Sequence, residues 1–261
     1  METLALILAG AAAGTLAGLL GVGGGALIVP VLAFFFEAHG VDADVVMQAS
    51  LGTSLATIVF TAISSIKAHH SRRAIRWSAF WQLTPGIAVG AMIGAVIAHL
   101  LPGKALKIMF AVFALFIAAQ MARGMAVRSH RPLPSTPWMV AAGGVIGILS
   151  SLFGIGGGSI SVPFLTWFSV PAVEAIATAS AIGLPIAVFG TLSYVVAGWN
   201  TAGLPPGSIG YVVLPPFLGI VVASTVFAPL GARLAHRLSQ TVLQRIFAVF
   251  LLVMALRLLF G

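Results

Sequence analysis

The sequence predicts an all-α polytopic membrane protein made of two homologous halves, each opening with a helix broken by glycines. Three observations predict it. Of the 261 residues, 60% are hydrophobic and only 7% are charged, whereas a soluble domain carries roughly 25% charged residues. So few charges cannot cover a soluble surface, and lipid must cover most of this one. Apolar runs long enough to cross a bilayer recur from end to end. A motif rich in glycine and ending in Val-Pro occurs twice, once in each half.

The apolar runs cover 4–36, 45–66, 77–101, 105–122, 138–168, 172–197, 209–232 and 241–260. Met1-Glu2-Thr3 carries no positive charge and no convincing cleavage site follows, so the first run reads as mature protein rather than a signal peptide. That run is too long for one crossing. As straight helix it would reach ~50 Å, against a hydrocarbon core of ~30 Å. The fifth run, 138–168, is comparably long. Adjacent glycines cost about 1 kcal/mol each in a helix interior relative to alanine, and the proline that follows removes another helix hydrogen bond. Each long run therefore reads as two helical pieces with a break at 21–25 and at 154–158. Bare backbone at membrane depth is tolerated only where it is buried in protein or lines a watery cavity, so both breaks are expected to point inward.

The halves repeat each other in three places and in the same order. Gly18-Leu-Leu-Gly-Val-Gly-Gly-Gly-Ala-Leu-Ile-Val-Pro30 matches Ser151-Leu-Phe-Gly-Ile-Gly-Gly-Gly-Ser-Ile-Ser-Val-Pro163. Gly94-Ala-Val-Ile-Ala-His99 matches Gly231-Ala-Arg-Leu-Ala-His236, and Phe110-Ala-Val-Phe113 matches Phe247-Ala-Val-Phe250. Internal duplication is a common plan of secondary transporters. The expected organisation is an N-terminal transmembrane repeat over 1–126, a basic and proline-rich cytoplasmic linker over 127–137, and a C-terminal transmembrane repeat over 138–261.

The formal charge is +8, but the basic residues sit in short loops between apolar spans rather than on one soluble face, which argues against nucleic acid. Lys67, Arg72, Arg73 and Arg76 place the loop 67–76 in the cytoplasm. Two topologies follow. If each broken run crosses once, the halves are parallel, with eight Lys and Arg inside and five outside. If each is re-entrant, the second half is inverted, with ten inside and three outside. The charge rule favours the inverted repeat.

The glycine clusters carry the chemistry. Consecutive N–H groups without side chains form an anion-binding concavity, and a helix starting just beyond points its positive dipole end at the same spot. Gly21, Gly23, Gly24 and Gly25 in the first half, and Gly154, Gly156, Gly157 and Gly158 in the second, are the expected binding backbone. Ser159 and Ser161 add hydroxyls on one side only. The competing reading is that these glycines merely let helices pack closely. In the second run Ser50, Thr53, Thr57, Thr61 and Ser64 recur at helical spacing with Ser54 alongside, as a pathway lining or as interhelical glue. Thr53, Ser54 and Thr57 complete the expected site. His99 and His236 occupy matching repeat positions near span ends, as interfacial residues do.

No carboxylate falls well inside a span, unlike many cation-coupled pumps. The spans also lack a Ser-His-Asp set or paired metal-binding histidines, so neither an enzyme nor a metal or other cofactor is expected. There are no cysteines, which excludes disulfides and thiol catalysis.

On Gly21-Val-Gly-Gly-Gly-Ala-Leu-Ile-Val-Pro30, Gly154-Ile-Gly-Gly-Gly-Ser-Ile-Ser-Val-Pro163, Ala49-Ser-Leu-Gly-Thr-Ser-Leu55 and Gly183-Leu-Pro-Ile-Ala187, the chain resembles the TauE/SafE family of sulfite and organosulfonate transporters over nearly its whole length. The second half departs from the first in having Thr178-Ala-Ser180 where the first has Thr53-Ser-Leu55. The resemblance implies passage of a small sulfur-containing anion through a multi-pass protein of the cytoplasmic membrane. The expected partners are the lipid bilayer and that anion.

Overall fold

The computed structural model describes residues 24–123, 132–235 and 240–260, apart from the side chains of 123, 225–235 and 240–244. These residues form an all-α membrane protein of nine helices and one small hairpin. In chain order they are α1 (Gly25–Ala38), α2 (Ala43–Ser71), α3 (Trp77–Leu100), α4 (Gly103–Arg123), α5 (Thr136–Leu152), α6 (Gly158–Trp167), α7 (Ala172–Ala197), β1 (Ser208–Ile209), β2 (Val212–Val213), α8 (Leu214–Ala235) and α9 (Gln240–Phe260). Four helices among the described residues, covering Ala43–Ser71, Trp77–Leu100, Gly103–Ala122 and Ala172–Ala197, are long and apolar enough to cross a membrane.

Local chemistry explains most boundaries. Asp42 caps α2, its carboxylate accepting the Asp44 N–H at 3.0 Å. The start of α3 is held from outside its own helix, with the Arg76 N–H donating to Thr178 Oγ1 at 2.9 Å. The last apolar run of the sequence but one, 209–232, is not all helix. Its first residues form an antiparallel hairpin pairing Ser208 with Val213 and Ile209 with Val212, and helix begins only at Leu214. Gly207 and Gly210 supply the positive φ values, 79° and 55°, that this turn needs. At Gly210 the turn also presses on the Val195 carbonyl, where a side chain has no room.

Helix directions follow from the contacts. Along α3, the carbonyls of Leu83 and Ile87 face Gly143 and Gly147, while Gly86, Gly90 and Gly94 face Val140, Gly144 and Ile148. Both sets of numbers rise together, so α3 and α5 run side by side in the same direction. Their backbones approach as closely as small residues permit. The helix α7 shares this direction: Arg76 pairs with Glu174 at 3.2 Å at one end, and Ser193 Oγ donates to the Met92 carbonyl at 3.2 Å further along. Against α2 the order reverses. Gly190 abuts Leu55, whereas Ala179 and Ser180 share a cavity with Thr61 and Ser65. Phe164 and Phe168 line one groove with Pro134, Trp138 and Val145, so α6 lies back along α5.

The core runs through the middle of this bundle, with Leu32, Leu51, Leu55, Leu83, Ile87, Ile182, Ile186 and Tyr194 buried. The outside is apolar as well: Trp81, Val89, Phe116, Leu192, Val222 and Phe260 are all exposed, a girdle that only lipid can cover. Trp77, Trp81 and Trp138 stand near the Arg76 end and Trp199 near the other, as in the aromatic belts at the two faces of a bilayer.

Candidate functional site

The site is built around the chain between α5 and α6. Helix α5 stops at Leu152 and helix resumes at Gly158. Gly154 makes the turn possible: its φ is 61°, and its backbone lies against Leu51 and Val29, where a side chain would collide. The N–H groups of Gly154 and Ile155 donate to the carbonyls of Ser151 and Ser150, at 3.1 and 2.9 Å, and so finish α5. The first N–H groups of any helix lack an acceptor within it. In α6 the first to find one is Ser161, which donates to the Gly157 carbonyl at 2.7 Å. Gly158 and Ser159 precede it, and their donors point out of the helix start.

Gly156, Gly157 and Gly158 line a narrow cavity together with Ile58, Thr61, Ala62 and Ser65 of α2 and Ala179, Ser180 and Gly183 of α7. Its free volume is about 20 Å³, room for little more than one water molecule. Among the described residues, no ionisable side chain lines it. Its positive character comes from backbone N–H groups and from the dipole of α6. The hydroxyls of Ser159 and Ser161, in the first turn of α6, are buried without a hydrogen-bond partner, as are those of Ser150 and Ser151 in the last turn of α5. The Ser161 side chain is fully buried and stands over Gly157, whose missing Cβ would lie 3.1 Å from its Oγ. Buried hydroxyls normally find partners, so each exception asks for an explanation.

The expected residues divide on this geometry. Gly24 starts α1 with φ at 72°, and Gly25 packs directly on the Gly154 carbonyl and Ile155. The two glycine motifs therefore touch, and among the described residues the glycines that line the cavity are Gly156, Gly157, Gly158 and Gly183. Gly21 and Gly23 lie outside the described residues, as does His236. Ser54 donates to the Gly154 carbonyl at 2.7 Å, which ties α2 to the break. Thr57 bonds the Ser54 carbonyl of its own helix at 2.6 Å. Thr53 belongs to another contact: it accepts from the Val213 N–H at 3.0 Å and donates to the Tyr211 carbonyl at 3.4 Å.

Sequence reasoning missed the two tyrosines, the only two in the chain. Tyr194 is fully buried and donates to the Ser151 carbonyl at 3.2 Å. Tyr211, at the hairpin turn, fills the space between α2, α3 and α7 on the side of the break away from the cavity. It lies against Gly52 and Gly198, and its hydroxyl meets His99 Nδ1 at 2.9 Å and Thr201 at 3.3 Å. The available signal was the placement of tyrosine in apolar surroundings, where its hydroxyl must find a partner.

The model of the family described as "Sulfite exporter TauE/SafE" matches residues 6–258. A probable membrane transporter protein of Haemophilus influenzae is 36% identical over 251 residues, covering 96% of this chain and 95% of its own. One of Methanocaldococcus jannaschii is 31% identical over 256 residues, covering 96% and 93%. One of Bacillus subtilis is 30% identical over 232 residues, covering 80% and 85%. No solved structure matches the chain. With a family model spanning nearly the whole chain and relatives named as membrane transporters over the same length, the chain belongs to the sulfite exporter TauE/SafE family.

Proposed function

We propose that this membrane transporter carries a small sulfur-containing oxyanion or organosulfonate, such as sulfite or sulfoacetate, and holds it at the glycine break that opens α6. The observation that carries the reading is the grouping of donors in the first turn of α6: its first N–H groups, without an acceptor among the described residues, the partnerless hydroxyls of Ser159 and Ser161, and the cavity that Gly156, Gly157 and Gly158 line. An anion accepts from both kinds of donor and neutralises the helix end. Among the described residues, a cation would find no carboxylate there. Gly156, Gly157 and Gly158 supply the backbone and Ser161 a hydroxyl. The cavity is smaller than an oxyanion, so loading requires α2 and α7 to part.

We further read the molecule as an inverted repeat, with 1–126 and 138–261 as the halves and 127–137 as a cytoplasmic linker. Support comes from the helix directions. The α5–α6 pair turns back at its glycines, so α7 starts at the Arg76 end. The counterpart α1 starts at the same depth, against Gly154, and leads to α2, which runs opposite to α7. The Arg76 end is the cytoplasmic one because the basic loop 67–76 lies there.

Uptake of labelled sulfite, sulfoacetate, sulfate and chloride into proteoliposomes holding the purified chain tests the reading. Saturable uptake of one sulfur anion, with counterflow, is expected. Conductance without saturation would mean a passive anion channel, and no uptake or binding at all a non-transporting assembly subunit. Either would overturn the reading.

A further inference from the structure

A polypeptide turn at membrane depth carries as many acceptors as donors. The N–H groups attract an anion and the carbonyls repel it, so a bare glycine break has no built-in preference for either sign. In this protein several of the carbonyls around the break are occupied. Those of Ser150 and Ser151 accept the N–H groups of Ile155 and Gly154, and that of Gly157 accepts the Ser161 N–H. Two further bonds come from other helices: Ser54 of α2 reaches the Gly154 carbonyl at 2.7 Å, and Tyr194 of α7 reaches the Ser151 carbonyl at 3.2 Å. All the groups involved are buried, where an oriented dipole acts at low dielectric and is felt strongly.

We propose that Ser54 and Tyr194 are positioning residues that make the break selective for anions, by holding the Gly154 and Ser151 carbonyls away from the cavity so that Gly156–Gly158 present donors to it. This rests on the proposed anion site. Neither hydroxyl touches the anion; each acts through the peptide unit it holds. The two bonds arrive from α2 and α7, the same helices that wall the cavity. The orientation of the break is thereby tied to how those helices sit. When they part to admit or release the anion, the carbonyls are freed to turn and the site loses affinity at the moment of release.

The test uses the full chain in proteoliposomes, with labelled sulfite as probe and sulfite-induced thermal stabilisation in detergent as a second readout. Ser54→Ala frees the Gly154 carbonyl and is expected to raise the KM about tenfold with kcat changed less than twofold. Ser54→Thr keeps a hydroxyl at the same place and is expected to restore KM to within about twofold of the parent. Tyr194→Phe keeps the buried ring and loses only the hydroxyl; a KM about three- to fivefold higher is expected. Both defective variants should lose discrimination between sulfite and neutral analogues of similar size. A parental KM and thermal shift in Ser54→Ala and Tyr194→Phe would overturn the proposal, and so would a loss of kcat alone. If the parent itself neither transports nor is stabilised by sulfite, the anion site fails as well, which separates that failure from this one.

Discussion

A buried hydroxyl without a partner is a cost that folding alone does not repay, and Ser161 bears that cost fully buried at the start of α6. The contrast is with Thr53, whose hydroxyl has tertiary partners. Thr53 bonds the hairpin at both Tyr211 and Val213, so Thr53→Val breaks two tertiary hydrogen bonds. A loss of about 1–3 kcal/mol of stability is expected, with little direct effect on anion affinity. Ser161→Ala breaks none and is expected to leave the anion-free protein as stable as the parent, or slightly more so, while weakening sulfite binding about three- to tenfold. Thermal melting in detergent with and without sulfite separates the two. A Ser161→Ala protein that melts lower without anion and binds as the parent does would mean that the hydroxyl is structural. From sequence, the two residues look alike, since each is a hydroxyl in an apolar run; their difference lies in what stands opposite. For Thr53 that is a hairpin more than 150 residues away, which no local spacing reveals.

At the scale of elements, the all-α membrane character was legible because the physics is local: four of the apolar runs are long enough to cross a bilayer, and the structure makes each a single helix. The hairpin at 208–213 was not legible, because Ile209, Tyr211, Val212 and Val213 are as apolar as a helix start and only the flanking Gly207 and Gly210 hint at a turn. Nor was the seam between α3 and α5. Gly86, Gly90 and Gly94 recur every fourth residue, a pattern that marks close helix packing, but the pattern does not name its partner. The structure pairs it with Val140, Gly144 and Ile148 of α5, so the two helices interlock closely. The seam predicts that Gly90→Ala is severe for so small a change, because its new methyl group would meet the Gly144 backbone carbonyl, which cannot swing aside. A drop of several degrees in melting temperature is expected there. At Gly144 only one distant backbone atom lies near an added Cβ, at 3.9 Å, so Gly144→Ala serves as the mild control. Equal melting of the two variants would contradict the close seam.

For the whole molecule, each end is tied by an ion pair. Arg76 and Glu174 join α3 to α7 at one end, while Lys107 and Glu37, paired at 3.0 Å, join α4 to α1 at the other. The cavity lies on the Arg76 side of the break and Tyr211 on the other. The inverted arrangement predicts which side is which. Because the chain has no cysteine, single cysteines at Ser129, at Ser239 and just past Gly261 report without background. An impermeant thiol reagent added to intact cells should miss the first two and label the third. Labelling at Ser239→Cys with protection at the C-terminus would mean parallel halves.

The central claim is that an oxyanion sits at the start of α6, and selenite, the selenium analogue of sulfite, tests it most directly. Selenium scatters anomalously, so a crystal of the purified chain grown with saturating selenite marks the anion's position without reference to activity. The account predicts one peak within hydrogen-bond reach of the N–H groups at Gly157–Ser159 and of Ser161 Oγ, absent from Gly157→Leu crystals. A peak elsewhere in the molecule, with the α6 start bare while sulfite competes the selenite away, would contradict it.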